Sequence, residues 1–433
     1  MCETRYRVTK VLLISFVQPF PADDGKKAVL QGMVRYFLAR PNTRVDYMIL
    51  RETGPGEPQA PQLTFHPVRN GTRRTQPLTA VIRSIVRQRP LQQTMLYSDS
   101  LRRAICQQMV SINPDIVIYD TFRVSQFIED PHALLPNAKH ILYLDDLFSV
   151  RYQAMLQAMD EYPALRVEPL GNFARHLPAV WRPMLNARRL CRFLLRREMQ
   201  LVKTVEAGAV AKFDVSLLAN RAEVKLLRER SGQDKIAVLP IVLPPHQTPV
   251  LVRNYQGSPE FIFIGSLNVA HNQCSLEHFI TDVFDACMKS IPGIKLRIIG
   301  HAPSTELHSL FARYPESIEW TAWIADLGGV FARCAAMIVP LLFGSGVKVK
   351  TLEALRHALP VVSTRFGAEG IVSNPTDASG IIIEDDVQRF PQHMQSLLDP
   401  RENHRLSNDA RDYYAAHFGA EASAQQYEAL FGV

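Results

Sequence analysis

The chain has 433 residues, 47% of them hydrophobic and 21% charged, and its net charge is +7. This length exceeds what one hydrophobic core supports, so we expect two domains. No apolar run reaches the roughly 18–20 residues of a membrane-spanning helix, and the six cysteines form no CxxC pair and have no histidine at metal-ligand spacing. These features argue against a membrane-spanning protein and a zinc site, and they predict buried thiols in a reducing cytoplasm.

The net charge hides an asymmetry between the two parts of the chain. Residues 1–250 contain 35 Lys and Arg against 22 Asp and Glu, whereas residues 251–433 contain 14 against 20. The first part therefore carries the basic surface. Nucleic acid, an anionic membrane and a phosphorylated acceptor are all candidate partners for such a surface.

In chain order, the first part alternates short apolar strands with helical patterns. A buried strand at Val8–Val17, rather than a signal peptide, precedes a polar loop that contains Gly25 and a helix over about residues 26–38. Such alternation predicts a doubly wound α/β domain. Further strands are predicted at Arg44–Leu50, Leu63–Val68, Asp115–Tyr119, His140–Leu144 and Val215–Leu218.

A basic helix is predicted at Trp181–Lys203, where Arg188, Arg192 and Arg196 recur every four residues on one side. The arginine side could dock on an anionic membrane surface. It could equally be the solvated side of a helix that packs on its own domain. Nucleic-acid binding is a third interpretation, but no stacking aromatic residues support it, so we expect no nucleic-acid partner.

A proline-rich segment, Pro240–Pro259, predicts a linker after which a second α/β series begins. We therefore expect one domain over residues 1–245 and another over residues 246–410. The strands of the second domain are predicted at Phe261–Ile264, Leu296–Ile299, Ile318–Trp320, Ala336–Leu342, Pro360–Ser363 and Gly380–Ile383.

The most informative stretch of the second domain is Pro340–Ile371. An apolar strand ends in the turn 344–346, a helical segment with Lys348, Lys350 and Glu353 follows, and a second strand ends in another glycine pair. Parallel strands place both turns at one edge of the sheet, where open α/β sheets bind ligands. Helix N–H groups and lysines favour an anion there, and a carboxylate accepts sugar hydroxyls. The stretch therefore predicts a sugar-nucleotide site; an ordinary βαβ unit with a glycine-capped turn is the alternative.

This stretch resembles the donor-binding signature of GT-B glycosyltransferases, especially the retaining group typified by glycogen and sucrose synthases, known as family 4 or glycosyl transferases group 1. The resemblance implies an α/β fold of two facing Rossmann-like domains with parallel sheets, and a C-terminal helix at 411–433 that packs back on the first domain. Other segments that resemble the family are FIFIGSLNVAHN, RIIGHAP and WTAWIADL in the second domain and PFPADDGKK in the first.

In that family the glycine turn holds the donor diphosphate, and the glutamate of the "EAL" segment hydrogen-bonds the ribose. The resemblance therefore implies diphosphate binding by the turn and Lys348, and ribose binding by Glu353. It also places Gly25 and Trp323 near the donor, although Trp323 could instead belong to the core. The residues implied at the donor site are Gly25, Gly265, Gly300, Trp323, Gly344, Ser345, Gly346, Lys348, Lys350 and Glu353.

The chain departs from the family pattern at two places. Many members carry an Arg/Lys pair after the first strand of the donor domain, where this chain reads GSLNVAHN, so Lys348 and Lys350 are the candidates to replace it. Many members also carry a glutamate eight residues before the ribose-binding one. Ser345 occupies that position here, which puts the contact with the transferred sugar in doubt.

In the first domain, Asp145 and Asp146 end a predicted strand and are candidate catalytic residues together with Lys348. A carboxylate at this place could face the anomeric carbon or bind an acceptor hydroxyl. Alternatively, one of the two caps the following helix. Asp120 also ends a strand and is a weaker candidate.

The resulting hypothesis is a cytoplasmic glycosyltransferase of polysaccharide biosynthesis, placed at the inner face of the membrane. It would transfer a sugar, with retention, from a nucleoside-diphosphate sugar to a glycan or lipid-linked acceptor, with no metal and no cofactor. A sugar-nucleotide epimerase and a catalytically silent nucleotide-binding scaffold are the alternatives. Residues 15–25 contain a single glycine, so a nicotinamide or flavin oxidoreductase is not expected.

Overall fold

The structure is a computed structural model that describes residues 8–22, 24–50, 60–68, 76–162, 187–243, 253, 255–324, 327–374 and 376–432. The chain divides into two compact units. The first takes the described residues within Met1–Gln153, Asn172–Leu239 and Tyr427–Val433, and the second takes those within Ala154–Gly171 and Pro240–Gln426. Half of the predicted linker, together with residues 181–186 of the predicted basic helix, lies outside the described residues.

The first unit is built on a parallel sheet of seven strands among the described residues, in the order β3-β2-β1-β4-β5-β6-β7. Its strands are mostly continuous apolar runs, as expected when both faces of a parallel sheet are covered. The sequence predicted six of them and missed β7, a three-residue strand that comes just before the proline-rich segment. The strands are β1 Thr9–Ser15, β2 Thr43–Ile49, β3 Leu63–Pro67, β4 Ile116–Asp120, β5 Lys139–Asp145, β6 Val215–Leu218 and β7 Ile236–Val238.

Helices connect these strands, and α1 shows how local chemistry sets their bounds. The Asp24 carboxylate accepts a hydrogen bond of 2.8 Å from the backbone N–H of Lys27, so the helix begins at Gly25. The helices up to the end of the first series are α1 Gly25–Leu38, α2 Gln76–Arg87, α3 Leu91–Leu96, α4 Asp99–Ile112, α5 Phe122–Ser125, α6 Pro131–Leu134, α7 Phe148–Glu161, α8 Arg188–Ala209 and α9 Arg221–Ser231.

The long helix α8 is the described part of the predicted basic helix. Its buried side carries Cys191, Leu195 and Val202 at the spacing of one helix face. Two buried glutamates, Glu198 and Glu206, interrupt that apolar side. Each accepts hydrogen bonds from a neighbouring segment, Glu198 from the backbone N–H of Leu91 and Glu206 from Ser149.

The second unit repeats the architecture with six parallel strands in the order β10-β9-β8-β11-β12-β13. Its strands are β8 Glu260–Ile264, β9 Lys295–Ile299, β10 Ile318–Thr321, β11 Ala336–Val339, β12 Val361–Ser363 and β13 Ile381–Ile383. Its helices are α10 Ala270–Asp282, α11 Phe284–Ser290, α12 Thr305–Phe311, α13 Leu327–Phe331, α14 Val349–Arg356, α15 Arg365–Ala368, α16 Phe390–Ser396 and α17 Pro400–Phe418, followed by α18 Ala420–Phe431.

The end of α18, from Tyr427 onwards, is part of the first unit. The Tyr427 ring centroid lies 4.7 Å from that of Tyr36, and the Phe431 centroid lies 4.9 Å from that of Phe37. Lys139 also donates a hydrogen bond of 2.7 Å from its Nζ to the carbonyl of Leu430. Apolar ring contacts thus hold the last residues of the chain on the helix that follows β1.

Each sheet has one point where the strand order reverses. In the first sheet it lies between β1 and β4, and in the second between β8 and β11. The connections leave in opposite directions there, which opens a crevice outside the carboxyl ends of the two strands. The predicted site residues follow strands at or near these two points.

Candidate functional site

The side chain of Lys348 stabilises the glycine turn that follows β11. Gly346 has a φ of 69°, a conformation that favours glycine. Lys348 precedes α14 as its N-cap residue rather than lying inside the helix. The Lys348 side chain is buried, and its Nζ donates hydrogen bonds of 2.7 Å to the carbonyls of Ser345 and Gly346. Lys348 therefore holds the shape of the turn.

Lys350, two residues further on, lies against the end of β8. Its Nζ donates a hydrogen bond of 2.6 Å to Oδ1 of Asn272 and lies 4.3 Å from the ring centroid of Phe263. Burial, followed by the nearby charge of Lys348, lowers the pKa of Lys350 from 10.5 to about 7. An ammonium group in such surroundings is poorly solvated, and an incoming anion would stabilise its charged form.

Two glycines at the ends of β8 and β9 make room for this arrangement. A Cβ on Gly265 would lie 2.8 Å from Nζ of Lys350 and 2.7 Å from Nδ2 of Asn272. A Cβ on Gly300 would lie 2.0 Å from the carbonyl oxygen of Gly265. Any side chain at either position would therefore push the lysine or the strand ends apart.

A hydrogen bond joins α14 to the second of the two predicted turns. Thr351 of α14 donates from its Oγ1 to the carbonyl of Gly367, at 2.8 Å. A Cβ on Gly367 would lie 2.2 Å from Oγ of Ser363 and 2.5 Å from Cγ1 of Val339. Gly367, in α15, therefore packs against the ends of β11 and β12 more closely than a residue with a side chain could.

Glu353 lies one helical turn after the N-terminus of α14. Its Oε1 is 3.5 Å from Nε2 of His357, and its Oε2 is 3.9 Å from Nη1 of Arg356. Its side chain is 19% exposed. The carboxylate thus lies among positively polarised groups, on the helix that also carries Lys350.

Trp323 follows β10, the edge strand of the second sheet, and its side chain is 66% exposed. It is therefore not part of the core, one of the two roles that the sequence left open. Stacking on a nucleobase stays a prediction.

In the first unit, a charged cluster lies at the carboxyl ends of three neighbouring strands. Lys26, at the start of α1, places its Nζ 2.6 Å from Oδ1 of Asp120 and 3.3 Å from Oδ2 of Asp145. Ser15 donates from its Oγ to Oδ2 of Asp120, at 2.5 Å. Tyr143 donates from its hydroxyl to Oδ1 of Asp145, at 2.6 Å. The three strands are β1, β4 and β5, two of which flank the reversal point.

Burial and the neighbouring charges shift the pKa values of this cluster. Burial disfavours the Lys26 ammonium, but Asp120 and Asp145 outweigh it and raise the pKa of Lys26. Burial also raises the pKa of Asp145, against the opposing effect of Lys26. Asp145 has a φ of 72°, which is uncommon for a residue with a side chain and is often found at functional sites. Asp145 is thus held in an unusual backbone conformation beside a cation.

Asp146 has a different environment from its neighbour. Its carboxylate forms a two-pronged ion pair with Arg151, with contacts of 2.7 Å to Nη2 and 3.1 Å to Nε. Its side chain is buried. The two predicted catalytic aspartates are therefore separated by the structure: Asp145 belongs to the charged cluster and Asp146 to the ion pair with α7.

Sequence reasoning placed Asp120 and Asp145 at strand ends and Gly25 in the loop before the first helix, but it assigned no partner to Lys26. The pairing of Lys26 with two aspartates was missed because both partners are about a hundred residues away. Asn272 was missed for the same reason. The available signal was a polar residue directly after a predicted strand or at the start of the next helix.

Over the described ranges, no group of three or more His, Cys, Asp and Glu side chains is placed to hold a metal ion. None of the helices in these ranges combines the length and the hydropathy that crossing a bilayer requires.

Part of the chain matches a family model and one curated protein. Residues 258–400 match the family model described as Glycosyl transferases group 1. An uncharacterized 44.6 kDa protein in the cps region of Klebsiella pneumoniae is 32% identical over 139 residues, which are 31% of this chain and 35% of that protein. The match thus spans about a third of the length of this curated relative.

Two solved structures are similar to this chain over nearly its whole length. Sucrose-phosphate synthase from Thermosynechococcus elongatus has a TM-score of 0.65 at 16% identity, covering 98% of both chains. HepE from Anabaena, solved with UDP and glucose, has a TM-score of 0.62 at 11% identity, covering 98% of this chain and 100% of its own. These likenesses show the GT-B fold, which confirms the predicted fold class. Within that fold, the match to the glycosyl transferases group 1 model covers residues 258–400, the part of the chain where the resemblance was noted.

Proposed function

We propose that this chain is a glycosyltransferase that takes its sugar from a nucleoside-diphosphate sugar bound to the second unit. The observation that carries the proposal is the position of Lys350. Its ammonium group lies at the end of β8, beside the point where the strand order of the sheet reverses. Many members of the family carry an Arg/Lys pair directly after this strand, and this sequence lacks that pair. The solved structure of HepE with UDP and glucose and the family match support a nucleotide sugar as the donor.

The chemistry that these residues support is stabilisation of a departing diphosphate. Lys350 and the backbone N–H groups at the start of α14 provide positive potential that is in place before the reaction. Lys348 acts by keeping the preceding turn in shape, and Glu353 is the acceptor for ribose hydroxyls. On this proposal no metal and no cofactor takes part, because the lysine and the helix N-terminus supply the required charge.

The acceptor is proposed to be a glycan or a lipid-linked glycan that binds to the first unit. Asp145 is the residue we assign to an acceptor hydroxyl or to the anomeric carbon, because it lies in the cluster with Lys26 and Tyr143. Asp146 is a weaker candidate than the sequence suggested, since Arg151 occupies its carboxylate. Retention of configuration is proposed from the family alone.

A role in cell-surface polysaccharide synthesis is proposed from the relative in the cps region of Klebsiella pneumoniae. In this role the protein would work in the cytoplasm, at the inner face of the membrane. The basic helix at 181–203 would contact that membrane, and its described part is exposed at Arg189, Phe193 and Arg196.

The test begins with thermal-shift measurements of the protein with UDP-, GDP-, ADP- and dTDP-sugars, because a ligand that binds the native state raises the melting temperature. Lys350→Met and Glu353→Ala are expected to abolish both the shift and sugar transfer. The matched controls are Lys289→Met and Glu306→Ala, two exposed residues of the second unit, which should behave as wild type.

Unchanged donor binding in both site variants would contradict the assignment of the site. Turnover of the donor without any acceptor would indicate a sugar-nucleotide epimerase. Donor binding without turnover, across a panel of glycan and lipid-linked acceptors, would indicate a silent nucleotide-binding scaffold.

A further inference from the structure

Helix α2 of the first unit exposes its apolar side. The side chains of Ile82, Ile85 and Val86 are 60%, 57% and 74% exposed. The helix packs on its own unit through the opposite side, where Ala80 and Ser84 are buried. Residues at positions 82, 85 and 86 follow the i, i+3, i+4 spacing of one helix face. An aliphatic face that points outward is unusual on a protein surface and indicates a binding surface.

Two arginines lie beside this face. Arg83 and Arg87 lie on the same helix, beside the aliphatic side chains, and both are exposed. The sequence around the helix, residues 58–98, contains six arginines and neither Asp nor Glu. A helix that exposes aliphatic side chains with arginines beside them is the type that lies in the interface of an anionic bilayer.

The neighbouring helix α8 extends the surface. Arg197 of α8 donates from Nη1 to Oγ of Ser84, at 3.1 Å, and from Nη2 to the Ser84 carbonyl, at 2.9 Å. Residues 188–197 contain five arginines and no acidic residue. Phe193, which lies on the same side of α8 as Arg189 and Arg196, is 63% exposed. Two basic helices, each with exposed apolar side chains, are thus held next to each other.

We propose that the α2 face, defined as Ile82, Ile85 and Val86 with Arg83 and Arg87, inserts into the headgroup region of an anionic lipid bilayer. The aliphatic side chains enter the boundary of the acyl chains, and the arginines bind the lipid phosphates. The adjoining part of α8 adds charge and one aromatic side chain. In this arrangement α2 supplies the apolar contact, which the arginine stripe of the basic helix lacks.

A bilayer explains both components of the surface. A nucleic acid would satisfy the arginines and stack on Phe193 of α8, but it offers the three aliphatic side chains of α2 no apolar partner. A second copy of this chain would bury the aliphatic side chains but would bring arginines against arginines. The inference deepens the proposed membrane contact, and it does not depend on whether the protein transfers sugar.

Co-sedimentation of the full chain with sonicated vesicles tests the proposal. Vesicles of phosphatidylglycerol mixed with phosphatidylcholine should bind the protein, and vesicles of phosphatidylcholine alone should bind it at least about tenfold more weakly, because each arginine near an anionic surface adds attraction. Ile82→Ser/Ile85→Ser should weaken binding to the anionic vesicles by about tenfold or more. Arg83→Glu/Arg87→Glu should do the same.

Matched controls come from the same unit. Val110→Ser removes another exposed aliphatic side chain, on α4, and Arg221→Glu/Lys225→Glu reverses two exposed charges at the same spacing on α9. Both should bind vesicles as wild type does. Because the substituted side chains are exposed, all variants should keep the wild-type melting temperature, which is measured first.

Four results would overturn the proposal. The first two are no binding to anionic vesicles, and equal binding by the α2 variants and the controls. The third is that a single-stranded RNA binds as tightly as the vesicles and still binds the Ile82→Ser/Ile85→Ser variant. The fourth is that sedimentation equilibrium shows a wild-type dimer that dissociates in this variant. Donor thermal shifts are measured on the same samples without lipid. A failure of the docking surface is therefore distinguishable from a failure of the donor site.

Discussion

Lys350 leads to a quantitative prediction about donor binding. Its pKa is lowered to about 7 by burial and by the charge of Lys348, so roughly half of the protein carries a neutral Lys350 at pH 7. A bound diphosphate would restore the charged form. Donor binding should therefore take up a proton, and the dissociation constant should rise with pH above 7, by up to about tenfold per unit.

Worked through, this linkage weakens donor binding by roughly 15-fold between about pH 7 and about pH 8.5. Isothermal titration calorimetry with the nucleotide sugar that gives the largest thermal shift checks it, since runs in two buffers of different ionisation enthalpy give the number of protons taken up. We expect about half a proton near pH 7 and about one near pH 8.5. The structural reason is the dry setting between Phe263, Asn272 and the end of β8.

The decisive variant is Lys350→Arg, because arginine keeps its charge throughout this pH range. Its donor affinity should not depend on pH, and binding should take up no proton. Lys289→Arg, at an exposed position, should keep the wild-type dependence. If wild type and Lys350→Arg bind the donor with the same flat pH profile, Lys350 does not contact the diphosphate and the reasoning is refuted.

Three further predictions concern the packing and charges of the two units. Gly367→Ala should lower the free energy of unfolding by about 2–3 kcal/mol, because its Cβ would overlap two side chains. Glu198→Gln should gain stability relative to wild type as pH rises from 4.5 to 7, by up to about 3 kcal/mol, because burial raises the pKa of Glu198 to about 7 and ionisation then opposes folding. Asp145→Asn should lower kcat at least about 100-fold and leave the donor thermal shift unchanged.

Each of these predictions has a control and a contrary result. Urea unfolding of Gly208→Ala, where a Cβ meets nothing within 4 Å, should show no loss of stability, and an equal loss in both glycine variants would contradict the packing argument. A stability difference between Glu198→Gln and wild type that stays constant with pH would mean that Glu198 is not buried as a neutral acid. For Asp145, the control is Asp234→Asn at an exposed position, and equal rates in both would remove Asp145 from the reaction.

The strands and turns were largely predictable because their signals are local. Twelve of the thirteen strands follow from short apolar runs, and the turn of residues 344–346 follows from its glycines. Tertiary contacts shift the bounds of some predicted elements. The strand predicted at Ala336–Leu342 stops at Val339, and the helix predicted to include Lys348 begins one residue later, because the lysine folds back onto the turn.

The roles of individual site residues were decided by contacts between distant parts of the chain. Lys350 meets Asn272 across 78 positions of sequence, and Lys26 meets Asp120 and Asp145 across about a hundred. No local pattern encodes such pairs, because they depend on which strand ends the sheet order brings together. The same order separates Asp145 from Asp146, which the sequence treated as equivalent.

The sequence by itself determined the α/β class, the two successive α/β series and the glycine turn of residues 344–346, since strand hydrophobicity and glycine turns act within a few residues. Tertiary structure decided which lysine faces the end of β8, which aspartate joins the charged cluster, and that α2 turns Ile82, Ile85 and Val86 outward. The reason is that burial is a property of the packed unit. An amphipathic helix reads the same in the sequence whether its apolar side faces the core or the solvent.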